Sequence, residues 1–284
     1  MSPPSFPSEI FGTFIEALGD DQQSLRACSL VSSVFRHLCG PTLYRDIALD
    51  RDEKVDSFIQ SGESSELLQY VKSLSLANSS KLHQILDTIS QKASLETLRF
   101  YRVEFCVEPV TASLLSRLST VTALVLRECR FGGFEDFVSF IRSFPLCEVL
   151  RLRGCSWIRN EDAKLKFGRS PVYAIAPVHL EITNLFAAPW GEQSCDQGEI
   201  VGTAWLDLAG LKTFTYAVGG EAEARLMLEK IVVCELLEGI DLDLPHPIRR
   251  DFGECELLLW LFDPDFVESI EFSNCPVDPI RRSY

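Results

Sequence analysis

Cysteine and histidine are the residue types in this chain that could bind a metal or carry nucleophilic chemistry. The chain contains 10 cysteines and four histidines, and no two cysteines have the C-x-x-C spacing. The histidines, His37, His83, His179 and His246, are too widely separated to suggest a metal-binding pair. We therefore expect no metal site, and we expect reduced, mostly buried thiols in place of disulfides.

Phosphate-binding and hydrolytic motifs are also missing from the sequence. There is no Gly-rich phosphate loop, nucleophile elbow or zinc signature. Gly132-Gly133 and Gly219-Gly220 favour turns, whereas Asp20-Asp21 favours the start of a helix. The sequence predicts a protein that is not an enzyme and needs no cofactor. An enzyme whose site is not visible in the sequence is the alternative.

Arginine offers the remaining chemistry, because its guanidinium grips carboxylate and phosphate groups through two hydrogen bonds. Arg99, Arg127, Arg151 and Arg153 lie in three short segments in which apolar residues alternate with other residues. Such alternation is typical of β-strands with one buried face. Whether these arginines meet depends on the elements that carry them.

A strand pattern recurs from residue 70 onward and reads apolar, two residues, apolar, one residue, apolar. The middle apolar residues of its copies are Leu74, Leu98, Leu124, Leu150, Leu180, Phe214, Ile240 and Ile270. The first intervals, from 74 to 98 and from 98 to 124, fall within the roughly 20–29 residues of a leucine-rich repeat. Each copy is therefore predicted to contribute one strand to a repeat.

Helical periodicity fills the gaps between these strands. It is clearest at Leu82–Ile89, Phe134–Phe144 and Met227–Val232. One strand and one helix per repeat predict an α/β fold over residues 51–284. The expected architecture is a degenerate leucine-rich-repeat solenoid, a curved parallel sheet with outer helices. An ordinary α/β sheet domain with coincidental spacing is the alternative.

The repeats carry cysteines and one irregular segment. Cys129, Cys155 and Cys275 each follow the last apolar residue of their copy by three residues, the Asn/Cys position of the repeat consensus, so we expect buried thiols there. An irregular insertion around residues 184–206 interrupts the pattern. Its aromatic residues are Phe186, Trp190 and Trp205. They either anchor a partner or fold back on the scaffold. The last copy lacks a clear capping helix, as in a solenoid that continues further.

Two positions of each copy are expected on the concave, solvent-facing side of the sheet, since alternate residues of a strand share a face. These pairs are Ser75 and Ala77, Arg99 and Tyr101, Val125 and Arg127, Arg151 and Arg153, Glu181 and Thr183, Thr215 and Ala217, Asp241 and Asp243, and Glu271 and Ser273. The arginines fall in the second to fourth copies and the carboxylates in the fifth to eighth. The face is therefore expected to have a basic part in the earlier copies and an acidic part in the later copies.

The basic part of this face is the predicted target-binding site. Its residues are Arg99, Tyr101, Arg127, Arg151 and Arg153. Such a cluster suits an acidic or phosphorylated segment of a protein target. The alternative is that these arginines pair with Glu96, Glu128 or Glu148 and only keep the sheet soluble.

Residues 1–50 predict three short helices and a closing strand. Pro7 and Ser8 suit the start of the first helix, and Gly19 suits its end. The apolar residues at helical spacing in the following stretch are Leu25, Cys28, Val31, Val34, Phe35 and Leu38. A module of this size buries little by itself, so the rest of the chain or a partner is expected to cover it.

The order of these residues resembles an F-box and is especially similar to the F-boxes of fungal F-box/leucine-rich-repeat proteins. The matching segments are Phe6–Ile10, Leu25–Val31, Phe35, Leu38 and Leu43–Ile47. Phe6-Pro7 stands where the family usually has Leu-Pro, and Ser32-Ser33 where it often has Cys-Arg. The resemblance implies docking onto the adaptor subunit of an SCF-type cullin–RING ubiquitin ligase. The residues carried over as adaptor contacts are Pro7, Ile10, Leu25, Cys28, Val31 and Phe35.

Net charge limits the partners further. The formal charge is −14 and the pI about 4.8, which disfavours nucleic acid and anionic membranes. We expect no leader segment at the start of the chain, because residues 1–8 have neither a basic region nor an apolar run, and no stretch reaches the roughly 18 apolar residues of a membrane span. We therefore predict a cytoplasmic or nuclear substrate-recruiting subunit of such a ligase. The alternative is a non-catalytic leucine-rich-repeat scaffold whose F-box-like segment is only an N-terminal cap.

Overall fold

The chain has an α/β fold in which N-terminal helices are followed by parallel strands with interleaved helices. The computed structural model describes residues 8–62, 66–77, 81–90, 94–105, 109–158, 175–183, 186–188, 206–217, 237 and 239–243. The helices are α1 (Ser8–Leu18), α2 (Gln22–Ser29), α3 (Ser33–Leu43), α4 (Asp52–Gly62), α5 (Leu82–Ser90), α6 (Pro109–Ser116) and α7 (Phe134–Arg142), with a 3-10 helix at Glu66–Tyr70. The strands are β1 (Asp46–Leu49), β2 (Ser73–Ala77), β3 (Thr97–Tyr101), β4 (Glu104–Phe105), β5 (Ala123–Arg127), β6 (Arg130–Phe131), β7 (Val149–Arg153), β8 (Ser156–Ile158), β9 (His179–Thr183), β10 (Phe186–Ala188), β11 (Thr213–Ala217) and β12 (Gly239–Asp243).

The three N-terminal helices begin and end where their sequence favours it. Gly19, at φ +54°, follows α1 in the left-handed conformation that glycine adopts without strain. The Asp21 carboxylate accepts a hydrogen bond from the Ser24 backbone N–H at 3.2 Å and caps α2. The Ser32 hydroxyl accepts one from the Phe35 N–H at 3.3 Å and caps α3. The predicted three helices and closing strand are confirmed.

Eight strands form one all-parallel sheet in the order β1-β2-β3-β5-β7-β9-β11-β12, so neighbours in the sheet follow one another along the chain. The predicted middle apolar residues align across it in one row, formed by Leu74, Leu98, Leu124, Leu150, Leu180, Phe214 and Ile240. This row confirms the predicted register of these copies. Ile47 of β1 extends the row by one strand, and the copy around Ile270 lies outside the described residues.

A second, smaller parallel sheet was not predicted. Its strands are short and run in the order β10-β8-β6-β4. The sequence carried a signal for it, because apolar residues also alternate just after each main strand. These buried pairs are Val103 and Phe105, Cys129 and Phe131, and Cys155 and Trp157.

Aromatic side chains fill the space between the two sheets and α7. Phe105 and Phe131 of neighbouring small strands stack with ring centroids 4.9 Å apart. Phe140 of α7 lies 4.4 Å from Phe105 and 5.7 Å from Phe100 of the large sheet. The helical periodicity at Leu82–Ile89 and Phe134–Phe144 is confirmed by α5 and α7, whereas the segment Met227–Val232 lies outside the described residues.

The predicted insertion falls mostly outside the described residues. Within 184–206 the structure describes only β10 and Leu206. Trp190 and Trp205 are therefore not placed, and their predicted choice between binding a partner and packing on the scaffold stays open.

The helical module α1–α3 has a hydrophobic core of its own. Ile15, Leu25 and Cys39 are its buried residues, and they form a cluster separate from the long core beneath the large sheet. The module meets the rest of the chain along α3. There Tyr70 Oη lies 3.0 Å from His37 Nδ1, and a Cβ added at Gly40 would come within 2.9 Å of the Tyr70 ring. A small residue at 40 is therefore needed for this close approach.

Candidate functional site

The helical module displays most of the exposed large apolar side chains that the structure describes. Among the residues whose side chains the structure describes, six large hydrophobic side chains are exposed, and only one of them, Leu146, lies outside the module. We call the other five the apolar N-terminal surface: Ile10, Phe14, Leu30, Val31 and Val34. Leu30 and Val31 are 80% and 71% exposed at the turn between α2 and α3. Clustered exposure of this kind marks an interaction surface.

Aromatic contacts bring the α1 and α3 parts of this surface together. The Phe14 ring lies edge-on to Phe35 with centroids 6.4 Å apart, and Phe11 contacts the same ring at 4.9 Å. Ile10 and Phe14 are four residues apart and share one face of α1. Val34 adjoins Phe35 at the start of α3.

The predicted adaptor contacts divide by burial. Ile10 and Val31 are exposed, and Cys28 and Phe35 are half-buried against the module core. Leu25 has no exposed surface, because it packs with the other buried residues of the module. A direct contact requires accessibility, so we reassign Leu25 from the adaptor contacts to the internal core. Pro7 lies outside the described residues.

The face of the large sheet opposite its core carries the predicted basic site. We call it the open face and define it by three rows of register partners on β2, β3, β5, β7, β9 and β11. The rows are Ser73, Thr97, Ala123, Val149, His179 and Thr213; Ser75, Arg99, Val125, Arg151, Glu181 and Thr215; and, ending at β9, Ala77, Tyr101, Arg127, Arg153 and Thr183. The second and third rows confirm the predicted pairing of positions. The first row was missed, although strand alternation extended by two residues would have found it.

The four predicted arginines lie together on this face. Arg127 and Arg153 are direct register partners on the neighbouring strands β5 and β7. Arg99 and Arg151 flank Val125, so they are two strands apart, roughly 10 Å. Tyr101 is the register partner of Arg127 on the other side. The side chains of Arg127, Arg151 and Arg153 are each about half exposed.

A carboxylate from the next strand already contacts two of these arginines. Glu181 Oε1 accepts a hydrogen bond from Arg153 Nε, and Glu181 Oε2 lies 3.5 Å from Arg151 Nε. The Glu181 side chain is only 13% exposed. Its hydrogen bond with Arg153 is the main cause that raises the pKa of that guanidinium.

The other arginine partners differ from those expected. Glu96 pairs with Lys72 at 2.9 Å, and Glu128 pairs with Arg102 at 2.6 Å. Arg102 contacts Oε2 of Glu128, whereas Arg127 Nε lies 3.8 Å from the other carboxylate oxygen, Oε1. Of the three carboxylates expected to pair with these arginines, Glu128 is the one that contacts an arginine of the open face. Glu181 was not among the expected partners, yet it contacts both Arg151 and Arg153. The sequence signal for Glu181 was its position in the same row as Arg151.

The repeat thiols lie where the register predicted. Cys129 and Cys155 are fully buried, and the Cys155 thiol lies 3.4 Å from the Leu126 carbonyl oxygen. A hydrogen bond with Cys129 and burial raise the pKa of Cys155 well above that of a free thiol. Burial raises the pKa of Cys147 to about 12. Cys275 lies outside the described residues.

In the part of the chain that the structure describes, no three His, Cys, Asp or Glu side chains converge as a metal site would require.

Comparison with known proteins adds no assignment. No protein-family model matches the chain, and no curated protein is significantly similar to it. Among the described helices, none has the length and apolar character needed to cross a lipid bilayer.

Proposed function

We propose that this chain is a substrate-recruiting subunit of an SCF-type cullin–RING ubiquitin ligase. The helical module docks onto the adaptor subunit, and the repeats form a leucine-rich-repeat solenoid whose concave side is the open face and holds the protein target. The chain performs no bond chemistry, since its contribution is to bring the target close to a transfer carried out elsewhere in the complex. We expect it in the cytoplasm or nucleus, where thiols such as its described free cysteines stay reduced.

The observation that carries this proposal is the apolar N-terminal surface. Burying such side chains supplies the main favourable free energy of most protein interfaces. A module that served only as a cap would turn these residues toward the repeats. Instead, it meets the repeats through α3 at Tyr70, while Ile10 and Val31 stay exposed. The surface is therefore available to a second protein.

The solenoid part rests on the strand order and the repeat length. Each main strand pairs in parallel with the next main strand along the chain, and a described helix lies in sequence between each two successive main strands from β1 to β7. Stacking of one strand–helix unit on the next is the construction principle of repeat proteins. Buried thiols at Cys129 and Cys155 occupy the Asn/Cys position of the repeat consensus.

Substitution of Val31 tests adaptor docking. We expect Val31→Asp, and separately Ile10→Asp, to reduce adaptor binding by about a hundredfold or more, because a buried unpaired charge costs several kcal/mol. Both side chains are exposed in the free chain, so the variants should fold. The measurement is the affinity of the purified chain for the adaptor subunit, with circular dichroism to establish folding.

The matched control is Leu146→Asp. Leu146 is 58% exposed, close to Ile10 at 54%, but lies outside the module. This variant should bind the adaptor as the unaltered chain does. If the unaltered chain does not bind the adaptor, or if both module variants bind it fully, the module is an N-terminal cap and the chain a non-catalytic scaffold.

The cap alternative has its own supporting observation. β1, which directly follows the module, forms the first strand of the large sheet, and α3 packs on Tyr70 next to it. Solenoids need such covered ends. An end-covering role for α3 is compatible with adaptor docking through the exposed side chains of α1 and the α2–α3 turn.

A further inference from the structure

The arginines of the open face are placed in a way that the stability of the sheet does not explain. Arg127 and Arg153 are register partners, and Arg151 lies on the same strand and face as Arg153. Like charges on neighbouring strands repel and destabilise a sheet. The chain as a whole carries a net charge of −14, because its 41 Asp and Glu residues outnumber its 27 Lys and Arg residues.

Carboxylates nevertheless do not balance these arginines. On β3, β5 and β7 the open face carries Arg99, Arg127, Arg151 and Arg153, and the adjoining β9 contributes Glu181. Glu128 is engaged mainly by Arg102, which also holds the pKa of that carboxyl below its usual range through a hydrogen bond. The Arg99 guanidinium donates to the Ser73 hydroxyl, which is uncharged. Positive charge therefore remains in excess around Arg127 and Arg153.

Glu181 shows what this patch accommodates. Its carboxylate lies across Arg151 and Arg153 and takes a hydrogen bond from the Nε of one of them. Arg127 lies one strand further from Glu181 than Arg153 does. The carboxylate oxygen near its Nε is Oε1 of Glu128, at 3.8 Å. A second carboxylate approaching from solvent would meet Arg127 and Arg153 side by side, each about half exposed.

We propose that the open face binds an acidic peptide segment across β3, β5 and β7, with an Asp or Glu carboxylate held between Arg127 and Arg153. In this arrangement Glu181 is the internal counter-ion with which the incoming carboxylate competes. The proposal rests on the proposed function in one respect, that the segment belongs to the target. Peptide binding itself needs no adaptor, so the two proposals fail separately.

Peptide binding by charge variants tests this assignment. The probe is a short fluorescein-labelled peptide of alternating Glu and Ser, and its affinity for the full chain is measured by fluorescence anisotropy. We expect Arg127→Ser and Arg153→Ser each to weaken binding about tenfold, the range of one charge-assisted hydrogen bond. Glu181→Gln, which removes the competing charge in an isosteric side chain, should strengthen binding severalfold.

The matched control is Arg130→Ser, which makes the same charge change on β6 of the small sheet, where Arg130 lies 3.4 Å from Glu104. It should leave peptide affinity unchanged. An equal loss for Arg130→Ser and Arg153→Ser would mean that only net charge matters and would overturn the proposal.

Two further peptides identify the chemistry of the ligand. A peptide with Gln in place of Glu should bind at least tenfold more weakly. If it binds equally well, carboxylates are not recognised and the proposal is wrong. If a phosphoserine peptide binds through Arg127 and Arg153 while the Glu peptide does not, the site takes phosphate and the assignment to a carboxylate is overturned.

Discussion

Three residues that directly follow neighbouring strands of the large sheet have the same backbone conformation and the same hydrogen bond, although their side chains differ. Arg102, Glu128 and Gly154 each follow a main strand with φ between +55° and +61°. In each case the backbone N–H donates to the carbonyl of the last residue of the next strand, as from Glu128 to Arg153 at 2.7 Å. Glycine takes this conformation without strain, whereas Arg102 and Glu128 adopt it at a cost. Their mutual ion pair is exposed and contributes little stability.

Thiol reactivity should differ between the described cysteines. A thiol reacts as its thiolate. Burial blocks access to all three buried thiols, and the pKa values of Cys147 and Cys155 are also raised, whereas a hydrogen bond with Cys155 lowers the pKa of Cys129. At pH 8, we expect Cys129, Cys147 and Cys155 to be alkylated slowly in the native chain and rapidly after denaturation, with Cys147 slow even at pH 9 because its pKa is about 12. Half-buried Cys28 should react faster. Site-resolved mass spectrometry measures the rates, and fast native labelling of Cys129 and Cys155 would contradict the repeat register.

At the scale of elements, the small sheet connects the main strands to the helices. Phe131 of β6 contacts Phe105 of β4 and also Phe137 and Phe140 of α7, with ring centroids between 4.9 and 5.5 Å apart. Aromatic pairs at these distances add to the stabilisation from buried area. The short strands β4 and β6 are therefore joined to each other and to α7 through side chains as well as through backbone pairing.

Truncation of Phe131 tests this joining role. We expect Phe131→Ala to lower the free energy of unfolding by about 3–5 kcal/mol, because it leaves a cavity among packed rings. Phe134→Ala removes a ring of the same size at the partly exposed start of α7 and should cost clearly less. Urea denaturation followed by circular dichroism measures both. Equal losses would show that the small sheet contributes no more than the helix surface.

At the scale of the whole molecule, the described residues form two hydrophobic cores of unequal size. The large core runs from Leu49 to Leu237 along the large sheet, whereas the buried residues of the module core, among those described, are Ile15, Leu25 and Cys39. A core this small gives marginal stability by itself. The module should therefore open more readily than the sheet.

Truncation of Leu25 tests whether the helical module unfolds independently of the large sheet. Leu25→Ala should cost about 2–5 kcal/mol at its site, which a marginal module cannot absorb. Hydrogen exchange should then show lost protection in α1–α3 and unchanged protection in β3, β5 and β7. Val31→Ala, at an exposed position of the same module, should leave protection intact. Loss of protection throughout the chain in Leu25→Ala would mean that the module and repeats unfold as one unit.

The sequence by itself determined the main strands, their buried rows and the helices α1–α3, α5 and α7, whereas α4 and α6 were not predicted. Residues such as Leu98, Leu124 and Leu150 could be placed because alternation along a strand reflects which face is buried. The same reasoning placed Cys129 and Cys155 in the core and Arg127 beside Arg153. These are properties of residues close together in sequence, repeated at a nearly constant interval.

Only the tertiary structure decided which apolar residues of the module stay exposed and which charges meet on the open face. Leu25 and Val31 both fit the helical pattern, but packing of α2 with α1 and α3 buries the first, whereas the second stays exposed. Glu181 reaches Arg153 because β9 pairs with β7, although the two residues are 28 positions apart in the sequence. Such contacts depend on how separate elements pack, and local periodicity does not encode them.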